Sequence, residues 1–277
     1  MTFPKIAILG AGNMGKSLIG GLIKKGCPSS QLCIADPNLA KRTQLHDLFQ
    51  VTTTADNAIA VEQAACVIFA VKPQNMAEAA YSVRNLIQSH HPLIISIAAG
   101  VREETLSNAL GGAPLAIVRA MPNTAALLNC AAIGMHANAT VNTAQRDLAA
   151  LILGALGMTV WLENEALLDV VTALSGSGPA YFFYMMDALQ QAAEALGLPK
   201  ETARLLTAQT ALGAARMALE TPHSFHDLLQ QVMSPGGTTE KAIHLLENHH
   251  VAQSYEEAIH AAKQRSEELA NLSKEKH

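Results

Sequence analysis

Aromatic residues are scarce in this chain. Phe, Tyr and Trp make up 4% of its 277 residues, with a single Trp. Ala, Leu, Ile and Val must therefore pack the core, and a hydrophobic content of 49% supplies enough of them. Charge is also sparse, at 15%, with a net value of −4 and no basic stripe. That argues against nucleic acid as a partner. No apolar run reaches the roughly 18–20 residues of a membrane span, so no membrane partner is expected. Met1-Thr2-Phe3-Pro4-Lys5 leads into an apolar segment too short for a signal-peptide core. Cys27, Cys33, Cys66 and Cys130 lack CxxC spacing. They are expected to be buried thiols of a reducing, cytoplasmic protein. Histidines are plentiful, including the pairs His90-His91 and His249-His250, but none has HExxH spacing. No metal is expected.

What the chain does have is alternation. Apolar runs at 5–9, 31–35, 66–71, 93–97 and 115–118 predict strands. Their continuous hydrophobicity suits strands buried on both faces of a parallel sheet. Met14, Leu18 and Leu22 predict a helix over 13–25, stopped by Gly26. The pattern predicts an α/β fold with an N-terminal Rossmann-type doubly wound, mostly parallel sheet. Runs at 131–135 and 158–162 extend it. Strand signals cease after Trp161. Helices are expected over 165–174, 180–196, 200–219, 224–233, 238–247 and 254–272, the last opening on a Ser254/Glu257 capping box. The chain divides into a dinucleotide-binding domain, 1–162, and an all-α domain, 163–277.

Gly10-Ala11-Gly12-Asn13-Met14-Gly15 is a GxGxxG string between a predicted strand and a predicted helix. Asp36 follows 21 residues after Gly15, where such folds place a ribose-binding acid. Gly10 permits the tight turn, Gly12 the approach of a pyrophosphate, and Gly15 close helix–strand packing. Leu9, Gly10, Ala11, Gly12, Asn13, Met14 and Asp36 are thus candidate cofactor contacts. Asp36 favours NADH, yet Lys41 and Arg42 could pair a 2′-phosphate, so NADPH and NADH both stay open. Ala70-Val71-Lys72-Pro73 closes the next strand candidate, where ligands bind in such sheets. Lys72 could reach a ligand or cap a surface loop. Arg119-Ala120-Met121-Pro122-Asn123-Thr124 is a second strand-end loop, with donors and acceptors suited to nicotinamide.

Ser234-Pro235-Gly236-Gly237-Thr238-Thr239 lies where a helix should begin. A helix start offers unpaired N–H groups and a partial positive charge, and glycines let a ligand approach them. The string suits a small carboxylate. It could also be a plain Pro-Gly turn. Ser175-Gly176-Ser177-Gly178-Pro179 interrupts a helical pattern and is either a pocket wall or a helix kink.

Taken together, these strings resemble the pyrroline-5-carboxylate reductase family almost end to end. They are Gly10 to Gly15, Ala70-Val71-Lys72-Pro73, Met121-Pro122-Asn123-Thr124, Leu174-Ser175-Gly176-Ser177-Gly178-Pro179-Ala180 and Val232-Met233-Ser234-Pro235-Gly236-Gly237-Thr238-Thr239. Met233 departs from the small residue more usual in the family, which puts the packing behind the turn in doubt.

The resemblance implies reduction of 1-pyrroline-5-carboxylate to L-proline with NADPH or NADH. It also implies an interlocked homodimer, with dimers assembling further. By similarity, Asn57 contacts the adenosine side of the cofactor. Ala70, Val71, Lys72 and Pro73 line its middle, and Met121 and Asn123 its nicotinamide end. Ser234, Gly236, Gly237, Thr238 and Thr239 hold the substrate, with Ser175 and Gly176 as a second wall. Thr239 is the candidate catalytic residue, bonding the ring nitrogen. The string holds no Asp, Glu or His, so the substrate is expected as its iminium, protonated from solvent. One alternative is a β-hydroxyacid dehydrogenase, but the helix over 180–196 lacks the lysine that chemistry uses. The other is a nucleotide sensor without turnover. The small-residue face over 200–219 could pack on a second subunit or within one chain.

Overall fold

The computed structural model describes residues 3–275. Its strands are β1 (Ile6–Leu9), β2 (Leu32–Ala35), β3 (Thr52–Thr54), β4 (Cys66–Phe69), β5 (Leu93–Ser96), β6 (Ile117–Met121), β7 (Ala131–Ala137) and β8 (Gly157–Trp161). They form one sheet in the order β3-β2-β1-β4-β5-β6-β7-β8. Every pairing is parallel except β6 with β7. The first six strands follow the doubly wound order, whose direction reverses between β1 and β4.

The connecting helices are α1 (Asn13–Lys24), α2 (Leu39–Phe49), α3 (Asn57–Val61), α4 (Met76–His90), α5 (Glu103–Ala109) and α6 (Thr143–Leu153). Side chains alternate between two cores, one on each face of the sheet. Ile6 and Ile8 pack with Leu18 and Leu22 of α1, while Ala7 and Leu9 pack with Val83 and Ile87 of α4. Burial on both sides explains why these strands read as unbroken apolar runs. The triple-threonine β3 carries no such run. It is an edge strand with β2 as its neighbour, and its side chains are exposed or half-buried.

The later helices are α7 (Leu167–Val171), α8 (Gly178–Ala195), α9 (Lys200–Glu220), α10 (Phe225–Val232), α11 (Thr238–Asn248) and α12 (Val251–Glu275). Ser254 does not start α12. The helix begins at Val251, directly after His250 in the left-handed region at φ 54°, and Ser254 N–H already bonds the His250 carbonyl. A reciprocal box does form at Ser224 and Asp227, opening α10.

By compactness the chain forms two units. One holds the residues through Ser177 and those from Ala261 onward; the other is Gly178–His260. This division falls later than residue 162 because α7 packs on the sheet. A side chain at Gly134 of β7 would lie 2.8 Å from Val171 of α7. The end of α12 belongs to the first unit through a buried polar joint. Asp169 of α7 accepts from Arg102 Nη2 and from Ser266 Oγ, both at 2.7 Å. Arg119 on β6, 7% exposed, pairs with Glu165 just before α7. Burial pushes the Arg119 guanidinium below its ordinary pKa, and Glu165 opposes that shift.

Removing one partner of a buried charged pair strands the other. Asp169→Ala is therefore expected to destabilise the protein by about 2–3 kcal/mol, and Asp169→Asn by less, in urea unfolding.

Candidate active site

The cofactor end begins with a backbone constraint. Gly10 has φ +108°, and a Cβ there would sit 2.7 Å from the Ala70 carbonyl oxygen. A Cβ on Gly15 would lie 2.3 Å from the Gly10 oxygen. Gly12 caps α1, and a Cβ built on it meets nothing within 4 Å. The glycine turn thus packs where the sequence requires it and stays open where a phosphate would approach the first-turn amides of α1.

A cavity of about 400 Å³ lies beside this turn, at the ends of β1, β2 and β4. Gly10, Gly12, Asp36, Asn57, Ala70 and Lys72 line it, with Val71. Leu9 does not: it is fully buried, and its carbonyl accepts the Ala70 amide. Its part is to place the turn. Ala11, Asn13, Met14, Pro73, Met121 and Asn123 also lie outside the cavity lining.

Asp36 is buried. Its Oδ2 accepts from Ala11 N–H at 2.8 Å and its Oδ1 from Asn38 N–H at 2.9 Å. The carboxylate clamps the glycine turn to the end of β2. Of the two cations left open above, Arg42 is committed to the carbonyls of Asp36 and Pro37, at 2.7 and 3.0 Å. Lys41 stays half-exposed at the cavity, 3.8 Å from Asp36. Asn57 Nδ2 donates to Ser82 Oγ at 2.9 Å.

A second cluster forms beyond β6. Residues Thr172–Gly176 make a π-helix, closed by Ser177 N–H on the Thr172 carbonyl at 2.9 Å. Such turns often mark functional sites. Asn123 Nδ2 donates to the Ser175 carbonyl at 2.9 Å, and a Cβ on Gly176 would lie 2.8 Å from Met121 Cε. Met121, Asn123, Ser175 and Gly176 therefore come together. The interruption is a widened helical turn rather than a break.

The 234–239 turn joins α10 to α11. Gly236 has φ +71° and Gly237 is the N-cap of α11. Two of its amides are already engaged. Gly237 N–H bonds the Ser234 carbonyl at 2.9 Å, and Gly236 N–H bonds Glu240 Oε2 at 2.8 Å. Lys241 N–H returns to the Gly237 carbonyl. The first-turn amides of Thr238, Thr239 and Glu240 are the ones the helix cannot satisfy itself. The donor set thus sits one step later than the two glycines suggested. Glu240 escaped the sequence reading. A Glu at the third helical position is a known capping signal.

Of the four cysteines expected to be buried, Cys27 and Cys66 are, while Cys33 is half-buried on β2 and Cys130 is exposed in the loop before β7. Burial pushes the Cys27, Cys33 and Cys66 thiols up from their ordinary pKa.

A glycine turn at the switch point of a doubly wound sheet, with an acid clamping it, is the arrangement of a dinucleotide-binding protein. Comparison with known proteins narrows that class. Residues 5–100 match the family model "NADP oxidoreductase coenzyme F420-dependent" and residues 165–269 match "Pyrroline-5-carboxylate reductase dimerisation". The pyrroline-5-carboxylate reductase of Pseudomonas aeruginosa is 46% identical over 98% of each chain. The solved reductase of Coxiella burnetii is 43% identical with a TM-score of 0.93, covering 96% of this chain and 98% of that one. The Plasmodium falciparum enzyme, solved with NADP bound, is 25% identical with a TM-score of 0.85, covering 98% and 99%. The chain belongs to the pyrroline-5-carboxylate reductase family.

Two outcomes test these placements. If Asp36 acts as a clamp, Asp36→Ala weakens NADPH and NADH alike, by about tenfold in calorimetric Kd. A selective loss of NADH would instead mark it as a ribose reader. For the 234–239 turn, Glu240→Ala is expected to raise the KM for the carboxylate substrate about fivefold while Glu240→Gln, which keeps the acceptor, stays near wild type.

Proposed function

We propose that the chain reduces 1-pyrroline-5-carboxylate to L-proline with NADPH or NADH, the last step of proline synthesis. The observation that carries this is full-length likeness to reductases of that name, joined to the Ser-Pro-Gly-Gly-Thr-Thr string. The glycine turn fits the nucleotide: Gly12, the N-cap of α1, is open, and the adjoining cavity is about 400 Å³. When bound, the reduced nicotinamide supplies a hydride. The chain's own residues orient the partners. Gly10, Gly12 and the α1 amides hold the pyrophosphate, with Asn57 toward the adenosine and Met121 toward the nicotinamide.

In this proposal the amides of Thr238 and Thr239 grip the substrate carboxylate, with the Ser234 hydroxyl beside them. Thr239 Oγ1 accepts the N–H of the iminium. Hydride addition at the imine carbon breaks the C=N π bond, whose electron pair becomes the nitrogen's lone pair, and the nitrogen keeps its proton as a secondary amine. Glu240, one residue on, bonds Gly236 N–H and serves the turn as an acceptor. Alignment of the two reactants accounts for a large part of the rate.

The family's dimerisation segment covers residues 165–269. Phe182, Phe183 and Tyr184 of α8 and Leu205 and Leu212 of α9 are exposed in the single chain. We take this as the surface a second copy covers, with dimers assembling further. Among the described residues no helix is long and apolar enough to cross a membrane. A cytoplasmic location without nucleic-acid or membrane partners is part of the same proposal.

A steady-state assay with 1-pyrroline-5-carboxylate, comparing kcat/KM for NADPH and NADH, tests the activity. Oxidation of small hydroxyacids is the control, and a chain active only there would refute it. Thr239→Ala is expected to lower kcat/KM about tenfold, the effect of one lost hydrogen bond to a charged group. Full retention of kcat and KM would remove Thr239 from the mechanism.

A further inference from the structure

Both ends of the Asn123 carboxamide are already committed within the protein. Oδ1 accepts from Ala125 N–H at 3.2 Å and so caps the short 3-10 helix Thr124–Leu128. Nδ2 donates to the Ser175 carbonyl at 2.9 Å. The first bond orients the second: with the oxygen on an amide N–H, the NH₂ must face Ser175.

The carbonyl it meets is one that a regular helix would leave bare. In an α-helix the oxygen of residue 175 takes the N–H of residue 179. Residue 179 is proline, which has none. A carbonyl partly shielded from water without a donor is costly, and this part-buried one takes its partner from elsewhere. The π-turn widens the backbone here, and Asn123 supplies the donor. The Thr172 and Ser175 hydroxyls are engaged elsewhere. Thr172 Oγ1 donates back to the Leu168 carbonyl at 2.7 Å and Ser175 Oγ to the Val171 carbonyl at 3.1 Å. A second contact lies alongside. Gly176 leaves room for Met121, since a Cβ there would come within 2.8 Å of Met121 Cε.

We infer that Asn123 is a positioning residue, the strut that fixes the Ser175-Gly176 wall against the Met121-Pro122-Asn123 loop. The inference rests on the proposed reductase reading, in which that loop carries the nicotinamide end and that wall faces the imine. Asn123 then sets the separation between the two reactants, and its side chain is not itself a cofactor ligand. Two features of distant sequence, a proline that removes a donor and an asparagine that replaces it, act as one joint.

The test separates nucleotide binding from turnover. Asn123→Asp keeps an acceptor for Ala125 N–H but loses the donor and sets a carboxylate against the Ser175 carbonyl. Asn123→Ser can still cap Ala125 but is too short to reach Ser175. Gly176→Val crowds both Met121 and Thr172 Cγ2 from the other side, where a single methyl would displace only the flexible Met121 Cε. NADPH Kd is measured by calorimetry without substrate, and kcat and KM with 1-pyrroline-5-carboxylate. In each variant Kd is expected to stay within about twofold while kcat falls about 10- to 100-fold, the scale of an ångström-sized misplacement. A tenfold rise in Kd with kcat intact would make Asn123 a direct cofactor contact and overturn the inference. Wild-type kcat in Asn123→Ser would reduce its role to the cap and overturn it equally. If the Asn123 variants do not fold, Gly176→Val decides, and an unchanged kcat there counts against the strut. A wild-type chain that binds NADPH without reducing the imine would sink the reductase reading and this inference with it. An active wild type with unaffected variants would sink the inference alone.

Discussion

The nucleotide half depends on one close approach between two pieces of backbone. Where β1 ends, Gly10 passes so near the end of β4 that a Cβ would sit 2.7 Å from the Ala70 oxygen. Gly15 then brings α1 against Gly10 itself. No side chain fits at either point, so helix, turn and two strands are locked together by glycine alone. Gly12, between them, has nothing within 4 Å of a Cβ position. The crowding at Gly10 and Gly15 is what leaves that opening in a fixed place. Asp36 adds a third anchor from β2 by holding the Ala11 amide. A site held by three strand ends is pre-organised, and binding loses less entropy in ordering it.

This half was legible in the sequence because its constraints are local. Glycine spacing, the acid after the second strand, and apolar runs of strand length all lie within short windows. The misses have physical causes as well. Thr52–Thr54 carries no apolar signal because an edge strand packs little. The S-x-x-E pattern at Ser254 sits inside a helix, because the real start is dictated by the left-handed His250 just before it. Asp169 and Ser266 are 97 residues apart, and Asn123 and Ser175 52 apart, so nothing local announces either bond. Pro179 was visible as a punctuator, but only the structure shows which carbonyl it deprives and what replaces the missing donor.

The helical half follows a different logic. Its own unit, Gly178–His260, leaves large apolar side chains such as Tyr184 82% exposed. Contiguous exposed apolar surface of this kind marks an interaction site. The last helix, α12, contributes its first part to that unit and its remainder, from Ala261, to the nucleotide unit. The buried Asp169–Ser266 bond explains why the remainder belongs there. A polar joint of this kind is specific: an apolar contact tolerates sliding, while a buried carboxylate accepts its donors in one register only.

The same distinction bears on the proton. A reductase acting on a C=N bond needs the nitrogen positive before or as hydride arrives. An acid beside the nitrogen could supply that charge, and Glu240 is the acidic residue nearest the Ser234 to Thr239 string in sequence. The structure gives its carboxylate another task, accepting the Gly236 amide and bracing a turn whose Gly236 lies at φ +71°. If it let go of that amide to act on the substrate, the turn would lose a brace while its first-turn amides were needed for the substrate carboxylate. Anchor and acid would then compete for one side chain. In the proposed mechanism, a substrate that enters as the iminium avoids the conflict: Glu240 stays with the turn, and Thr239, an adequate acceptor but a poor acid, would suffice beside the nitrogen.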